Sequence, residues 1–407
     1  VLPAVELIEN KKLKVLKVKD GIDFKKDILF ELYAPQNGMR LNIQLDWYPK
    51  IQVLQRSRGS SISPNDSRQT GKLEDHHLAF INWDDVYFEI QKFKNERNWY
   101  NLNIKKDTLS TLLHNDGWYT LFIPEYELTV RSFEQTKLWK EVATSLLRAY
   151  CDKIYNYEKN KYLSQFLEYE VLDPTHPNFI SEYRFYIERT QEELIEKLTQ
   201  LKELLIDKDF SYQIEFRQLQ NFDAINFNQH LYKPLVYFNA NVYKDILRVS
   251  PFQLVDSEKD FINDLKNFYT SNTSFFADKE LFVLRNISKK GIGFFEAHNY
   301  YPDFILWLIY DGKQYINFID PKGLRHIEGF EHPKIKFYKT LKEEIEPRLN
   351  DPAVILNSFI VTPTTLADLT FWEGGTTIDD FAEHNVYFQK DDKNHYISKL
   401  LHKIIAV

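Results

Sequence analysis

Two apolar runs flank Asp311-Gly312, and this segment constrains the possible folds of the chain more strongly than any other. The runs extend from Phe304 to Tyr310 and from Gln314 to Ile319, and both are rich in β-branched and aromatic residues. Asp-Gly is a favoured dipeptide for a two-residue type I′ turn between two strands. The sequence therefore predicts a tight β-hairpin in which Trp307 lies opposite Ile316.

The same register places two acidic residues, Asp303 and Asp320, directly opposite each other. Side chains of opposed cross-strand residues lie close together, and like charges there repel unless something neutralises them. A divalent cation would do so. Because side chains alternate along a strand, Lys322 lies on the same face as Asp320 if the strand continues past Pro321. The alternative is a structural Asp–Lys ion pair at a hairpin end, and a one-residue bulge would move Asp303 to the other face.

Both faces of the predicted hairpin are apolar away from these acids, which is typical of strands covered on both sides. The chain has 407 residues, of which 43% are hydrophobic and 27% charged, so two or three folded domains are expected. The one cysteine, Cys151, excludes an intrachain disulfide and a four-thiolate zinc site and favours a reducing compartment. The sequence shows neither a long apolar segment nor a signal-peptide pattern at its start, so we expect a cytoplasmic protein with no membrane partner.

Three segments with different hydrophobic patterns divide the chain. Residues 1–130 carry short alternating runs that predict a β-rich accessory domain, with strands at 13–18, 41–45, 86–90 and 119–123. Residues 131–250 form a helical linker domain, with helices at 132–161 and 191–206. Residues 251–407 combine a helix at 257–268, capped by Ser257, with a strand at 280–284 and the hairpin. The predicted fold class is α+β or α/β.

The hairpin motifs resemble those of the PD-(D/E)xK nuclease superfamily, with Pro302-Asp303 followed by Asp320-Pro321-Lys322. More narrowly, residues 299–308, 318–324 and 356–362 resemble the C-terminal nuclease region of type III restriction-like DEAD/DEAH-box helicases. The resemblance is close over about 255–400 and looser over 1–250. It implies a restriction-endonuclease-like αβ domain with a mixed central sheet at 251–407.

The resemblance also implies the residues of a catalytic site. Asp303, Asp320 and Lys322 would be its core, and an acid on the preceding helix often completes it, for which Glu258 and Glu296 are rival candidates. Two carboxylates and a main-chain carbonyl such as that of Pro321 are hard ligands that suit Mg²⁺ or Mn²⁺.

A basic strip follows the hairpin between residues 321 and 342. It contains six lysine or arginine residues against two glutamates, a net charge of +4, although the whole chain has a net charge of −7. Such a strip could contact phosphate groups, or it could be an ordinary solvated helix face. The candidate DNA-binding residues are Arg325, Lys334, Lys336 and Lys339.

These features together predict a metal-dependent endonuclease that hydrolyses DNA. The resemblance implies a helicase or ATPase motor as a partner in the same or another chain, an associated methyltransferase subunit, and a role in restriction or anti-phage defence. The chain has no Gly-x-x-x-x-Gly-Lys-Ser/Thr loop, so we expect it to be a fragment or a subunit of such an assembly. Two alternatives remain open: a catalytically silent nuclease-fold module that binds DNA or acts as a scaffold, and an RNA nuclease.

Overall fold

The structure, a computed structural model, describes residues 2–3, 5–36, 41, 43–48, 69–130, 132–176, 178–180, 182–206, 221–287, 302–324, 329–369, 372 and 377–406. Its contacts divide the chain into an inserted unit, Asp20–Gln165, and a sheet unit made of Val1–Lys19 and Phe166–Val407. This division differs from the three consecutive segments expected from the sequence. The reason is a long-range strand pair, because Lys14–Val18 runs antiparallel to Leu167–Val171.

The inserted unit is mainly helical. Its longest helix, Glu134–Leu163, buries the apolar face that the sequence predicts, including Trp139, Leu146 and Tyr150. The strand Ile43–Asp46 runs parallel to Tyr119–Phe122. The remaining elements are the helices Phe24–Asp27, Asp75–Leu78, Trp83–Glu96, Lys106–His114 and Glu125–Leu128, the 3₁₀ turn Asp116–Trp118, and the strands Phe30–Glu31, Thr70–Gly71 and Leu102–Asn103.

The strand predicted over residues 86–90 is wrong, because this segment lies within the helix Trp83–Glu96. Asn82 caps the helix by accepting a hydrogen bond from the backbone of Asp84. Val86 and Ile90 are fully buried and four residues apart, so they share one face of the helix. A five-residue apolar run is compatible with both the strand period of two and the helix period of 3.6. The N-cap Asn82 favours the helix.

The sheet unit contains a five-stranded mixed sheet, which confirms the expected mixed αβ class in its coarse form. Its strands and flanking helices, in chain order, are α1 (Asp256–Ser271), β1 (Glu280–Arg285), β2 (Phe304–Tyr310), β3 (Lys313–Pro321), α2 (Pro333–Thr340), β4 (Val354–Thr362), α3 (Ile378–Glu383), β5 (Val386–Phe388) and α4 (Tyr396–Ile405). The spatial order is β1-β2-β3-β4-β5; the pairs formed by β1, β2 and β3 are antiparallel, whereas β3–β4 and β4–β5 are parallel.

The β2–β3 hairpin has the predicted register, with Trp307 opposite Ile316 and Phe304 opposite Ile319. Asp311 and Gly312 have φ angles of +50° and +69°, the two positive values that a type I′ turn requires. Trp307 and Ile316 are completely buried. The hairpin therefore forms the centre of a covered sheet.

Helices cover this sheet. α1 and α4 contact each other and β3, while α2 packs against β4. α1 begins at Asp256 after the N-cap Val255, so the predicted cap at Ser257 is wrong by two residues. Glu258 supplies the capping interaction instead, since its carboxylate accepts a hydrogen bond from the Val255 backbone at 3.3 Å.

The remaining elements of the sheet unit come from both parts of the chain. The helix Glu192–Ile206 agrees with the predicted helix at 191–206, and a π-helical turn with a last α-helical turn extends α2. One hydrophobic core joins Leu13 and Leu16 to Leu254 and to the sheet residues. The other elements are the helix Val5–Lys11 and the strands Leu2–Pro3, Arg184–Ile187, Phe222–Ile225, Tyr232–Lys233, Leu235–Phe238 and Leu247–Ser250.

Candidate active site

Three charged residues meet at one rim of the sheet because neighbouring strands run antiparallel. Arg285 is the last residue of β1, Asp303 immediately precedes β2, and Asp320 is the last residue but one of β3. Together with Glu258 from the first turn of α1, the two aspartates form what we call the carboxylate cluster, Glu258–Asp303–Asp320.

The two aspartates are close enough for their side chains to share a hydrogen bond. The Asp320 side chain is only 5% exposed and that of Asp303 is 27% exposed. Burial, followed by the charge of Asp320, raises the pKa of Asp303 to about 8. A carboxyl group with such a pKa keeps its proton at neutral pH, so the pair carries less than its full negative charge in the absence of another cation.

Arg285 holds Glu258 with two parallel hydrogen bonds. Its Nη2 lies 2.7 Å from Glu258 Oε1 and its Nε lies 3.2 Å from Oε2. Burial raises the pKa of Glu258, and the Arg285 guanidinium opposes this rise. Planar pairing of this kind fixes both side chains in position as well as their charges.

The same guanidinium also reaches Asp303. Arg285 Nη2 lies 3.4 Å from Asp303 Oδ1, and Nη1 donates to the main-chain oxygens of Asp303 at 3.0 Å and Asn286 at 2.6 Å. The Arg285 side chain is 10% exposed. Arg285 therefore connects α1 to the start of β2 and orients two members of the carboxylate cluster.

Lys334, in the first turn of α2, also contacts the carboxylate cluster, although it follows β3 in the chain. Its Nζ lies 3.5 Å from Asp320 Oδ2. Burial lowers the pKa of Lys334, with a smaller effect of the neighbouring Lys322 in the same direction and an opposite effect of Asp320. Lys322 itself is exposed and follows the last residue of β3.

The main-chain carbonyl of Pro321 faces α1. It accepts a hydrogen bond from Ser257 Oγ at 3.0 Å, and the Ser257 carbonyl in turn accepts one from Gln389 Nε2 at 2.9 Å. These bonds tie the end of β3 to α1 and to the residue after β5. A carbonyl oxygen has two lone pairs, so the bond from Ser257 alone does not saturate the Pro321 oxygen.

The donor chemistry of this rim fits a hard cation. Among the described residues, no group of three or more His, Cys, Asp and Glu side chains is arranged to hold a metal ion. Mg²⁺, however, is usually held by one or two carboxylates, with water and substrate oxygens as its other ligands. Asp303, Asp320 and the Pro321 carbonyl supply such ligands, whereas Glu258 is already paired with Arg285.

The other predicted site residues have different outcomes. Lys336 forms an ion pair with Glu331, and Lys339 is exposed on α2, so neither lies in the carboxylate cluster. Glu296 and Arg325 lie outside the described residues, and their predicted roles stay predictions. Glu258 lies beside the aspartates.

Sequence reasoning missed Arg285 and assigned Lys334 only to the basic strip. A signal for Arg285 exists, since it is the one charged residue that ends the otherwise apolar run Leu281–Leu284. Lys334 gives no comparable signal, because its contact depends on how the start of α2 is placed against the end of β3.

No protein-family model matches this chain, and comparisons with curated proteins and with solved structures give no match. No helix in the described ranges is long and apolar enough to cross a membrane. The chemistry of the rim is therefore the basis for a functional assignment.

Proposed function

We propose that the sheet unit is a metal-dependent nuclease that hydrolyses phosphodiester bonds in DNA. The observation that supports this proposal is the meeting of Asp303, Asp320 and Glu258 with Arg285 and Lys334 at one rim of a mixed sheet. Buried acids beside two cations are well suited to binding a divalent ion and a phosphate group at the same place.

Each residue has a distinct role in this proposal. Asp303, Asp320 and the Pro321 carbonyl would hold Mg²⁺ or Mn²⁺, which when bound polarises the scissile phosphate. Arg285 keeps Glu258 and Asp303 oriented. Lysine ammonium groups beside Asp320 stabilise the negative charge that develops on the phosphate oxygens. Water adds to the phosphorus as the bond to the leaving sugar oxygen breaks, and that oxygen takes up a proton.

The substrate and partners in this proposal come from the sequence resemblance. The resemblance of residues 251–407 implies DNA as the substrate, and paired DNA and RNA substrates separate this from the RNA alternative, which has the same chemistry. The same resemblance makes this unit the nuclease part of a cytoplasmic helicase–nuclease in restriction or anti-phage defence, working with an ATP-driven motor and a methyltransferase subunit. The mixed sheet with α1 immediately before it has the coarse αβ layout that the resemblance implies for residues 251–407.

The proposal is tested with the full chain and matched DNA and RNA substrates in Mg²⁺, Mn²⁺ or EDTA. We expect DNA cleavage with either ion and none in EDTA. Asp320→Asn, which removes a buried ligand, should lower the cleavage rate by at least about 100-fold, the scale of losing one preorganised electrostatic group. Asp311→Asn is the matched control, because this exposed carboxylate lies at the opposite end of the same hairpin.

Two outcomes would contradict the proposed active site or its activity, and a third would contradict DNA as the substrate. Full cleavage by Asp320→Asn, with normal thermal unfolding, would exclude this rim as the active site. A wild-type chain that binds DNA and cleaves neither substrate would support a binding or scaffolding module. Cleavage of RNA alone would keep the chemistry and change the substrate.

A further inference from the structure

Lys334 owes its position to the way α2 begins. His332 is the N-cap, and its Nδ1 accepts a hydrogen bond from the Lys334 backbone at 3.2 Å. Pro333 occupies the first helical position, where its fixed φ favours the start of a helix. The ion pair between Lys334 Nζ and Asp320 Oδ2 at 3.5 Å therefore joins a capped helix to the end of a strand, two rigid elements.

Burial and two local features oppose a charged lysine at this position, and Asp320 is the neighbour that favours it. The first turn of a helix favours acidic side chains, and α2 has none there. The Lys322 ammonium group lies close enough to interact with Lys334, and the Lys334 side chain is only 23% exposed. Residues that break local rules in this way are concentrated at functional sites.

Lys322 has a different environment, although the motif resemblance assigns the catalytic role to it. It is exposed, its backbone N–H donates to the Val361 carbonyl at 2.9 Å, and it forms no ion pair within the described part of the chain. Its ammonium group lies next to that of Lys334 and is not paired with a carboxylate of the described residues, and its exposure allows it to contact a phosphate group that flanks the site.

We propose that Lys334 is the catalytic lysine of this site, with its ammonium group contacting the scissile phosphate beside Asp320, while Lys322 contacts a flanking phosphate. This inference rests on the proposed nuclease function. It exchanges the roles that the motif spacing alone would give to the two lysines.

Single-turnover cleavage and DNA binding separate the two roles. Lys334→Ala and Lys334→Gln should lower the rate at saturating enzyme by about 100-fold. Lys322→Ala should weaken DNA binding, reduce the slope of log affinity against log salt by about one, and lower the saturated rate much less than either Lys334 variant does. Lys313→Ala, at the far end of β3, is the control that should leave both unchanged. If Lys322→Ala lowers the saturated rate strongly and the Lys334 variants affect mainly DNA binding, the inference is wrong and Lys322 is the catalytic lysine.

Binding of Mn²⁺ without DNA gives a second readout that needs no cleavage. Removing a positive charge next to Asp320 should make Mn²⁺ binding to Lys334→Gln about tenfold tighter than to wild type, with a smaller effect in Lys322→Ala. Unchanged or weaker binding in Lys334→Gln would show that Lys334 does not face the ion and would contradict the inference. A wild-type protein that neither binds Mn²⁺ nor cleaves would contradict the proposed function itself.

Discussion

Arg285 contacts two of the three carboxyl groups in the cluster, and it explains how Glu258 can be buried. Breaking a buried ion pair by removing one partner leaves an uncompensated charge, which is strongly destabilising. Its Nη1 bonds to two carbonyl oxygens also fix the backbone just before β2. Arg285 therefore has a structural role in addition to its effect on the charges of the site.

Asp303 should make the metal-free protein less stable as the pH rises. Its pKa is raised from the ordinary value of 3.8 to about 8 in the folded protein, so folding favours its protonated form. This contribution is fully present below the unfolded pKa and is lost as the pH rises through about 8. The slope is at most about 1.4 kcal/mol per pH unit.

Urea unfolding in EDTA at several pH values between 5 and 9 measures this effect when wild type is compared with Asp303→Asn. The stability of wild type relative to Asp303→Asn should fall steadily from pH 5 and level off above about pH 8. A difference that is independent of pH would show that Asp303 does not keep its proton in the folded protein.

The sequence predicts individual site residues only where local geometry determines their neighbours. Asp303 and Asp320 could be placed together because the Asp311-Gly312 turn fixes the register over seven residue pairs. The contacts of Arg285 and Lys334 depend on packing between segments that are far apart in the chain. The spacing of residues along the sequence does not predict such packing.

At the scale of elements, the type I′ turn carries the register of the whole hairpin. Gly312 has a φ of +69° and no atom within 4 Å of the position that a Cβ would take. Gly312→Ala should therefore destabilise the protein through backbone strain alone, by about 1–2 kcal/mol. Denaturant unfolding measures the loss, and cleavage of DNA should be retained at the ordinary temperature.

Asp311→Asn is the comparison for this prediction, because asparagine tolerates positive φ well and should leave stability nearly unchanged. An equal loss of unfolding free energy in both variants would mean that Gly312→Ala destabilises the turn through side-chain interactions and not through backbone strain. The sequence predicts the hairpin and the helix at 191–206, because a turn dipeptide marks the first and a long apolar periodicity marks the second. It does not predict the helix Trp83–Glu96, although Asn82 caps this helix, because the run at 86–90 is short enough to fit a strand and a helix turn equally.

At the scale of the whole molecule, the sheet unit needs the first residues of the chain. Trp307 Nε1 donates to the Lys14 carbonyl at 2.8 Å, and the Lys14 backbone N–H donates to Gln314 Oε1 at 3.0 Å. A chain that begins at residue 251 would expose the core positions that Leu13 and Leu16 cover. We expect that shortened chain to aggregate or to unfold at a lower temperature than the full protein.

A chain in which residues 1–19 are joined to 166–407 by a short linker is the matched comparison, and it should fold cooperatively. Thermal unfolding and size-exclusion chromatography distinguish the two. A stable monomer from residue 251 onward would show that the three-segment division is also a physical one. Sequence patterns alone could not find this dependence, because strand partners 149 to 157 residues apart leave no local periodicity.

The hydrogen bond from Lys19 N to Phe166 O, 2.8 Å long, has a consequence for how the chain folds. The chain leaves the sheet unit and returns to it at adjacent points, so a folded inserted unit would shorten the effective loop between β-strand partners. Synthesis supplies residues 20–165 before either β2 or β3 exists. The inserted unit can therefore complete its fold first, and its folding would then bring the two pieces of the sheet unit close together.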